Sequence, residues 1–192
     1  MNKILIASNN KNKIYEFKEK LKGYEIYSLK DLNIDIDVVE DGNTYEENSY
    51  KKAKEISKLA PDYIVISDDS GLEIEALDNY PNIYTGRCTG ENQTSLILCN
   101  HLLEKLGNNE NRNAKYVCVI TAIFPNGKTE VIRKEVYGKI TKEIVGDTKF
   151  GADPIFYHEG YKMTYANMDI NLKNKISHRA LAINEFVEKL KK

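Results

Sequence analysis

One stretch decides the fold of this 192-residue chain, and it reads Ile64-Val65-Ile66-Ser67-Asp68-Asp69-Ser70-Gly71. Its apolar start is typical of a short strand that is buried on both faces of a sheet. Ligands of open α/β sheets usually bind at such strand ends, and a carboxylate near a sheet interior needs a partner or a metal. Asp, Ser and Gly also favour ordinary turns. The stretch therefore predicts a central strand and leaves open whether its two acids form a functional site or a turn.

The flanking segments predict an α/β fold with a mixed sheet. Strands are indicated by residues 3–7, which are apolar after Lys3, by the alternating residues 34–39 and by the almost wholly apolar residues 116–124. A hairpin turn beginning at Pro125 leads into a further strand over residues 129–137. A hairpin pairs its two strands antiparallel, so the sheet is not purely parallel.

Helical patterns lie between these strands. Residues 14–21 and 93–106 each carry apolar side chains at helical spacing. Thr44 and Glu47 have the spacing of a capping box that opens a helix to about residue 59, and Ser177 is placed to cap a last helix. No repeat, low-complexity tract or linker interrupts the pattern, so residues 1–192 are predicted to form a single domain.

Composition and charge weigh against several classes of function. The chain has 28 Lys and Arg against 29 Asp and Glu, and a net charge of -1 gives no global basis for binding nucleic acid or membranes. The apolar run at residues 3–7 is far too short for a signal peptide or a membrane span. Cys88, Cys99 and Cys118 show no C-x-x-C spacing, so neither zinc nor a disulfide framework is indicated. We expect a reduced, cytoplasmic protein without nucleic-acid or membrane partners.

A polar, basic loop leads into the first helix, and it reads Ser8-Asn9-Asn10-Lys11-Asn12-Lys13. Backbone N–H groups and the helix dipole suit a helix N-terminus to an anion, and Lys11 or Lys13 would add positive charge. Ser and Asn are also typical of an ordinary helix cap, and no Walker or G-x-G-x-x-G pattern is present. On this loop alone the cap is favoured, and the phosphate site stays open.

Two sets of polar groups, one before the second helix and one on it, are candidates for a functional site. Glu40 follows residues 34–39, where a second strand would end. Asn48 and Lys52 lie four residues apart on the predicted helix and share a face. That face points either to solvent or into a cleft, and nothing nearby in the sequence decides which.

The C-terminal part combines an unusual loop with an unusual helix start. Gly151 lets a backbone approach a ligand closely, Asp153 before a proline favours an extended turn, and Phe150 is able to stack on a base. A plain surface loop competes equally with this interpretation. His178 and Arg179 occupy the first turn of the last helix, where cations oppose the helix dipole. A helix start that carries cations against the dipole in this way favours the interpretation that these side chains bind a group that is negatively charged or rich in carbonyl oxygens.

Five blocks, in sequence order, resemble the inosine triphosphate pyrophosphatase family of XTP/dITP diphosphatases over nearly the whole chain. The N-terminal loop resembles T-G-N-x-G-K, and the other blocks are Thr44-Tyr45-Glu46-Glu47-Asn48 with Lys52-Ala53, Ser67-Asp68-Asp69-Ser70-Gly71-Leu72 with Ala76-Leu77, Phe150-Gly151-Ala152-Asp153-Pro154-Ile155-Phe156, and Ile176-Ser177-His178-Arg179 with Lys173 upstream.

The chain departs from the family pattern at several positions, one of which is Thr85-Gly86, where the family usually has Ser-Ala. Asn9 and Asn12 replace the two glycines of the N-terminal motif, and Asn is a residue able to hold a left-handed backbone in their place. Ala152 replaces the usual Tyr, and Lys149 replaces the usual Gly before Phe150. If that missing ring helps to wall the base pocket, the selectivity for the base is altered.

The resemblance implies a fold, an activity, a cofactor and an assembly. The implied fold is α/β, with a long mixed β-sheet flanked by helices and two lobes around a central active-site cleft. The implied activity is Mg²⁺-dependent hydrolysis of the purine nucleoside triphosphates ITP, dITP and XTP to the monophosphate and pyrophosphate, which cleanses the nucleotide pool. The implied assembly is a homodimer.

The resemblance and the residues together assign roles within the site. Asp69 is the catalytic residue, as Mg²⁺ ligand or as the base for the attacking water, because Mg²⁺ takes a few carboxylates plus phosphate oxygens. Successive strand residues point to opposite faces, so Asp68 and Asp69 are not expected to face one metal, and Asp68 is expected to support Asp69. Glu40 is assigned separately as the second metal-associated carboxylate. Substrate binding is assigned to Ser8, Asn9, Asn10, Lys11, Asn12, Lys13, Asn48 and Lys52 at the polyphosphate, to Phe150, Gly151, Ala152, Asp153, Lys173, His178 and Arg179 around the base, and to Ser70.

Two other classes of function compete with this assignment. A regulatory nucleotide-binding module would bind the same ligand without turnover. A covalent-aspartate phosphatase also places its nucleophile after an apolar strand, but it needs a second Asp two positions on, where this chain has Ser70 after Asp68. The released product separates the three classes, since it is pyrophosphate, phosphate or neither.

Overall fold

The computed structural model describes residues 3–191, and the chain forms two compact units. Among the described residues, unit 1 holds residues 3–69, 118–134 and 179–191. Unit 2 holds residues 70–117 and 135–178. The single domain over residues 1–192, and the two lobes around a cleft, stay predictions. Within the described chain, no helix is long and apolar enough to cross a membrane.

Within residues 3–191, seven strands form one mixed sheet, which confirms the predicted α/β fold class. The strands are β1 (Lys3–Ile6), β2 (Glu25–Ser28), β3 (Ile64–Ile74), β4 (Asn113–Ile123), β5 (Thr129–Ile140), β6 (Phe156–His158) and β7 (Met163–Thr164). Their order across the sheet is β2-β1-β3-β4-β5-β6-β7. β1 runs parallel to both β2 and β3, whereas β6 pairs antiparallel with both β5 and β7.

Five α-helices accompany the sheet in the described residues. They are α1 (Lys11–Lys20), α2 (Tyr45–Leu59), α3 (Ser95–Leu106), α4 (Ile170–Ile176) and α5 (His178–Leu190). The predicted cap of α2 is confirmed, because Thr44 Oγ1 accepts the N–H of Glu47 at 3.1 Å. The helix α4 was not predicted, because its seven residues are too short and too polar to show an apolar stripe.

The parallel strands β1 and β3 are buried on both faces within unit 1, as their apolar sequence predicts. On one face, Ile66 of β3 belongs to a cluster with Phe17 of α1 and Phe186 of α5. On the other face, Val65 belongs to a cluster with Ile56 of α2. Because alternate residues of a strand point to opposite faces, β3 packs against α1 and α5 on one side and against α2 on the other.

β3 is longer than the sequence pattern indicates, since it continues through both acids to Ile74. Asp68 and Asp69 therefore lie inside a strand, and neither the turn nor the strand end proposed for them is correct. Leu72 and Ile74 are fully buried. Their burial holds the chain extended, which outweighs the turn preference of the Ser-Gly pair.

Residues 34–39 do not form the predicted strand, and Glu40 consequently does not end one. Ile34 and Val38 are partly buried against the cluster on the α2 face, whereas Ile36 and Val39 are exposed. The alternation of apolar residues that suggested a strand is therefore not an alternation of burial. Side-chain packing at two points anchors this irregular segment.

Candidate active site

Asp68 is surrounded by cations of unit 1. Its carboxylate accepts the Nζ of Lys13 at 3.1 Å and the Nε of Arg179 at 3.1 Å. The ammonium of Lys52 donates to the backbone carbonyl of Asp68 at 3.4 Å. Burial alone would raise the pKa of Asp68, but Lys13, Arg179 and Lys52 together hold it well below its usual value. Asp68 is thus ionised and neutralised by the protein itself, which fits the supporting role predicted for it.

The positive charge of Arg179 in the first turn of α5 is paired with acidic side chains. Its Nη1 pairs with the carboxylate of Glu16 at 2.9 Å, and its side chain is 4% exposed. Asp68 and Glu16 together offset the unfavourable helix dipole, and they confirm that this helix start holds something negative. The contact between Arg179 and the base stays a prediction. Glu16 was missed, although it lies three residues after Lys13 on α1 and therefore on the same helix face.

Asp69 has a different environment from its neighbour. The side-chain amide of Asn48 donates to its Oδ2 at 3.1 Å, and the residue is 5% exposed. Burial, followed by the negative charge of Glu40, raises the pKa of Asp69 to about 6. Two adjacent residues of β3 therefore carry carboxyl groups whose pKa values move in opposite directions.

Helix α2 fixes the polar groups around Asp69. Asn48 Oδ1 accepts the N–H of Gly42 at 2.8 Å, which orients the amide so that its Nδ2 faces Asp69. Gly42 is tightly enclosed, because an added Cβ would lie 2.8 Å from Asn48 Oδ1 and from Glu47 Cβ. Four residues after Asn48, the ammonium of Lys52 forms an ion pair with Glu40.

A buried group of hydroxyls joins α2 to the sheet beneath these residues. Ser67 Oγ donates to the backbone carbonyl of Ser49 at 2.5 Å, and Ser49 Oγ donates to Thr121 Oγ1 at 2.8 Å. All three residues are at most 1% exposed. Ser49 and Ser67 directly follow and precede site residues in the sequence, so their bonds fix the register between α2 and β3.

The N-terminal loop forms a helix cap. Asn10 Oδ1 accepts the N–H groups of Asn12 and Lys13 at 3.0 and 3.2 Å, and Ser8 Oγ accepts the N–H of Asn10 at 3.1 Å. The cap is therefore confirmed, and phosphate binding at the loop stays a prediction. Asn12 lies within α1 and Asn9 has no positive φ, so the left-handed backbone considered for these two residues is not adopted.

The carboxylates of unit 1 suit a metal ion whose remaining ligands are water and the oxygens of a bound phosphate. Over residues 3–191, no three His, Cys, Asp or Glu side chains gather into a complete metal site. Asp69 and Glu40 are nevertheless close enough for the charge of one to raise the pKa of the other. Mg²⁺ commonly binds through one or two carboxylates, with water and phosphate oxygens completing its shell. A hard divalent cation would relieve the repulsion between these two carboxylates.

The loop predicted to contact the base lies in unit 2 and is held by side chains of the same unit. Gly151 has a positive φ of 46°, and its carbonyl accepts Ser95 Oγ at 2.6 Å. Asp153 forms an ion pair with the ammonium of Lys173, which also lies 4.7 Å from the ring centroid of Phe150. The structure therefore brings Phe150, Asp153 and Lys173 together, as the sequence predicted.

Ala152 is fully buried, and both of its backbone groups have partners within unit 2. Its N–H donates to the hydroxyl of Tyr116 at 3.2 Å, and its carbonyl accepts the N–H groups of Ile155 and Phe156. The Cβ of Ala152 thus faces the protein interior. A contact between Ala152 and the base stays a prediction.

His178 is another residue of unit 2 that was predicted to contact the base. Its ring stacks on Tyr116, with the centroids 4.5 Å apart and the planes inclined by 6°. Tyr116 was missed as a site-associated residue, because in the sequence it is one apolar position among many on β4. Ser70 follows Asp69 on β3 and is half-buried.

Known proteins match the chain over nearly its whole length. A sequence profile of the Ham1 family matches residues 4–189. A Clostridium perfringens protein named dITP/XTP pyrophosphatase is 44% identical over 200 residues, covering 100% of this chain and 98% of its own. A Staphylococcus aureus protein of the same name is 42% identical over 184 residues, covering 96% of this chain and 94% of its own.

Solved structures match the fold equally well. The Staphylococcus aureus Ham1 protein has a TM-score of 0.91 at 40% identity, covering 99% of this chain and 98% of its own. A HAM1 protein from Coxiella burnetii also has a TM-score of 0.91, at 32% identity, with coverage of 100% and 99%. Both likenesses confirm the mixed α/β architecture.

Proposed function

The chain belongs to the Ham1 family, as the sequence resemblance predicted, and we propose that it hydrolyses non-standard purine nucleoside triphosphates to the monophosphate and pyrophosphate. A relative that is 44% identical over the whole chain is named dITP/XTP pyrophosphatase. We assign dITP, XTP and ITP as substrates. The bond that breaks joins the α and β phosphates, and water supplies the attacking oxygen.

The observation that carries this proposal is the contrast between Asp68 and Asp69. Asp68 is neutralised by Lys13 and Arg179, whereas Asp69 has a pKa raised to about 6. A general base works best when its pKa lies near the working pH, and a carboxylate of raised pKa beside a second carboxylate also suits a cation. Asp69 therefore has the properties of the working carboxylate, as base for the water or as metal ligand.

The cations of unit 1 are suited to the polyphosphate. Lys13 is 19% exposed and Lys52 is 17% exposed at their side chains, so both retain a solvent-facing part while paired with carboxylates. Positively charged side chains stabilise the negative charge that grows on a leaving pyrophosphate. We assign Lys13 and Lys52 to the β and γ phosphates. Asn48 orients Asp69, and the exposed loop residues 9–12, which directly precede Lys13, are assigned to the same polyphosphate.

Asp69 and Glu40 would hold Mg²⁺. When bound, the cation would neutralise phosphate charge and make the phosphorus atom more susceptible to attack. The residues of the chain perform the remaining tasks. Asn48 fixes the carboxylate of Asp69, and Lys52 holds Glu40. In the alternative in which Asp69 is the base, one of its carboxylate oxygens accepts the proton of the attacking water.

We assign recognition of the base to unit 2. The ring of Phe150 offers a stacking surface, and His178 offers a ring N–H to a 6-oxo group. Adenine carries an amino group at that position, so a site built for an oxo group leaves buried polar groups unpaired when adenine binds. Asp153 and Lys173 form an ion pair that holds the loop next to Phe150. Arg179 remains a candidate donor, although its described contacts are with Asp68 and Glu16.

The remaining assignments concern the setting of the enzyme. Cys88, Cys99 and Cys118 are all free thiols, which supports a reducing, cytoplasmic compartment. We also propose a homodimer, on the basis of the family resemblance alone, with no nucleic-acid or membrane partner. Sedimentation at several protein concentrations would test the dimer.

The decisive experiment measures the products formed from dITP, XTP, GTP and ATP in the presence of Mg²⁺. We expect pyrophosphate and monophosphate, with dITP and XTP turned over much faster than ATP, and no turnover in EDTA. Asp69→Asn should abolish turnover, whereas Asp62→Asn, which changes an exposed acid of the same unit, should not. Orthophosphate without pyrophosphate would contradict the reaction, and equal rates on ATP would contradict the selectivity.

A further inference from the structure

Three rings of unit 2 lie parallel to one another. The ring centroid of Tyr116 on β4 lies 4.5 Å from that of His178, with the planes inclined by 6°, and 5.8 Å from that of Tyr165, with the planes inclined by 4°. The three residues are at most 6% exposed. The close and nearly parallel stack on Tyr116 restricts the plane of the His178 ring.

The hydroxyl of Tyr116 holds a second element of the same site. It accepts the N–H of Ala152 at 3.2 Å, in the middle of the loop that carries Phe150 and Asp153. The carbonyl of the preceding residue, Gly151, is held separately by Ser95. The loop is thus fixed on one side by the start of α3 and on the other by a tyrosine anchored in a central strand.

We propose that Tyr116 is a positioning residue that sets the geometry between His178 and the Phe150–Asp153 loop, and that this geometry determines which purine base is accepted. The inference rests on the proposed function. Tyr116 itself is 6% exposed and acts through the two elements that it contacts. Its ring controls the plane of His178, and its hydroxyl controls the depth of the loop at Ala152.

The chain offers a matched control for this role. Tyr165 is a second buried tyrosine of the same stack, and no hydrogen bond to its hydroxyl is described. Tyr165→Phe and Tyr116→Phe each remove one buried hydroxyl oxygen and preserve the stacked ring. Only Tyr116→Phe removes an acceptor from the loop.

The experiment compares both variants with the wild-type protein by two measurements. The first is the ratio of kcat/KM for dITP to kcat/KM for dATP. We expect Tyr116→Phe to lower this ratio about fivefold, the equivalent of roughly 1 kcal/mol for one hydrogen bond, and Tyr165→Phe to leave it unchanged. The second is amide hydrogen exchange at Ala152, which should quicken in Tyr116→Phe alone.

A third variant, Tyr116→Leu, tests the stacking. The chain has three histidines, so the ring-proton NMR signals of His178 can be assigned by comparison with His178→Gln. We expect these signals to lose their ring-current shift in Tyr116→Leu and to keep it in Tyr116→Phe. If Tyr116→Leu does not fold, Tyr116→Phe alone decides the proposal.

The proposal is overturned if the selectivity ratio is unchanged in Tyr116→Phe, or if Tyr165→Phe lowers it equally. A faster exchange at Ala152 with an unchanged ratio would also overturn it, because the bond would then be merely structural. If the wild-type protein releases no pyrophosphate from dITP, the proposed function fails. The exchange and NMR measurements would still show whether Tyr116 holds the loop and the His178 ring.

Discussion

The Asp69→Asn substitution should abolish turnover and also make the metal-free fold more stable. The residue is 5% exposed, and burial together with the charge of Glu40 raises its pKa from 3.8 to about 6. One pKa unit corresponds to about 1.4 kcal/mol, so a shift of roughly two units destabilises the ionised native state by about 3 kcal/mol. A neutral amide avoids this cost, and its oxygen still accepts the N–H of Asn48.

The effect is confined to a defined range of pH. Below a pH of about 4, Asp69 is protonated in both the folded and the unfolded protein, so its burial costs little. Between about pH 4 and 6 the unfolded chain releases this proton while the native protein retains it, and wild-type stability falls as the pH rises. Above a pH of about 6 the cost is constant. The stability gained by Asp69→Asn should therefore increase by about 1.5 kcal/mol between pH 5 and pH 8.

Urea denaturation in EDTA at pH 5 and pH 8 measures this difference, with Asp62→Asn as the control for an exposed acid. Added Mg²⁺ should stabilise the wild-type protein more than Asp69→Asn, because a ligand that binds only the native state raises its stability. A variant no more stable than the wild-type protein at pH 8, or a gain that is the same at both pH values, would refute the reasoning.

Two further substitutions test how α2 is placed against β3. Gly42→Ala should lower the free energy of unfolding by about 1–3 kcal/mol, because its Cβ would meet the Asn48 side chain at 2.8 Å. Gly86 has open space around it, so Gly86→Ala should leave the free energy of unfolding nearly unchanged. Equal losses of stability in the two variants, measured by urea denaturation, would argue against the close fit at Gly42. Ser49→Ala should cost about 1–3 kcal/mol, because the buried Thr121 Oγ1 loses the donor that Ser49 supplies, and it should lower kcat. Ser57→Ala removes an exposed hydroxyl of the same helix and should change neither quantity; an unaltered kcat in Ser49→Ala would show that the hydroxyls do not align the site.

Local sequence patterns predicted most of the elements that carry the site. The apolar run before Asp68 is characteristic of a strand buried on both faces, and the cap at Thr44 depends on neighbouring residues only. The same kind of argument failed at residues 34–39. An alternating pattern predicts a strand only if one face packs evenly, and here Ile36 is exposed while Ile34 is partly buried.

The groups that sequence reasoning missed act over long separations in the chain. Glu16 meets Arg179 across 163 positions, and Tyr116 meets Ala152 across 36. No periodicity or capping rule connects such residues, because their contact arises only when the elements pack. The cations at the start of α5 did signal an unseen negative partner, since they oppose the helix dipole. The sequence thus indicated that a partner exists without identifying it.

The alternation of β3 explains why two neighbouring acids have opposite properties. Ile66 faces α1 and α5, and two residues later Asp68 faces the cations that these helices supply, Lys13 and Arg179. Val65 faces α2, and Asp69 lies on the same face of the strand, where Asn48 of α2 is its donor. A hydrogen-bonding amide leaves the charge of Asp69 available, whereas two cations neutralise that of Asp68. The strand period therefore gives one acid a structural role in holding Lys13 and Arg179, and leaves the other available for the catalytic role that we propose for Asp69.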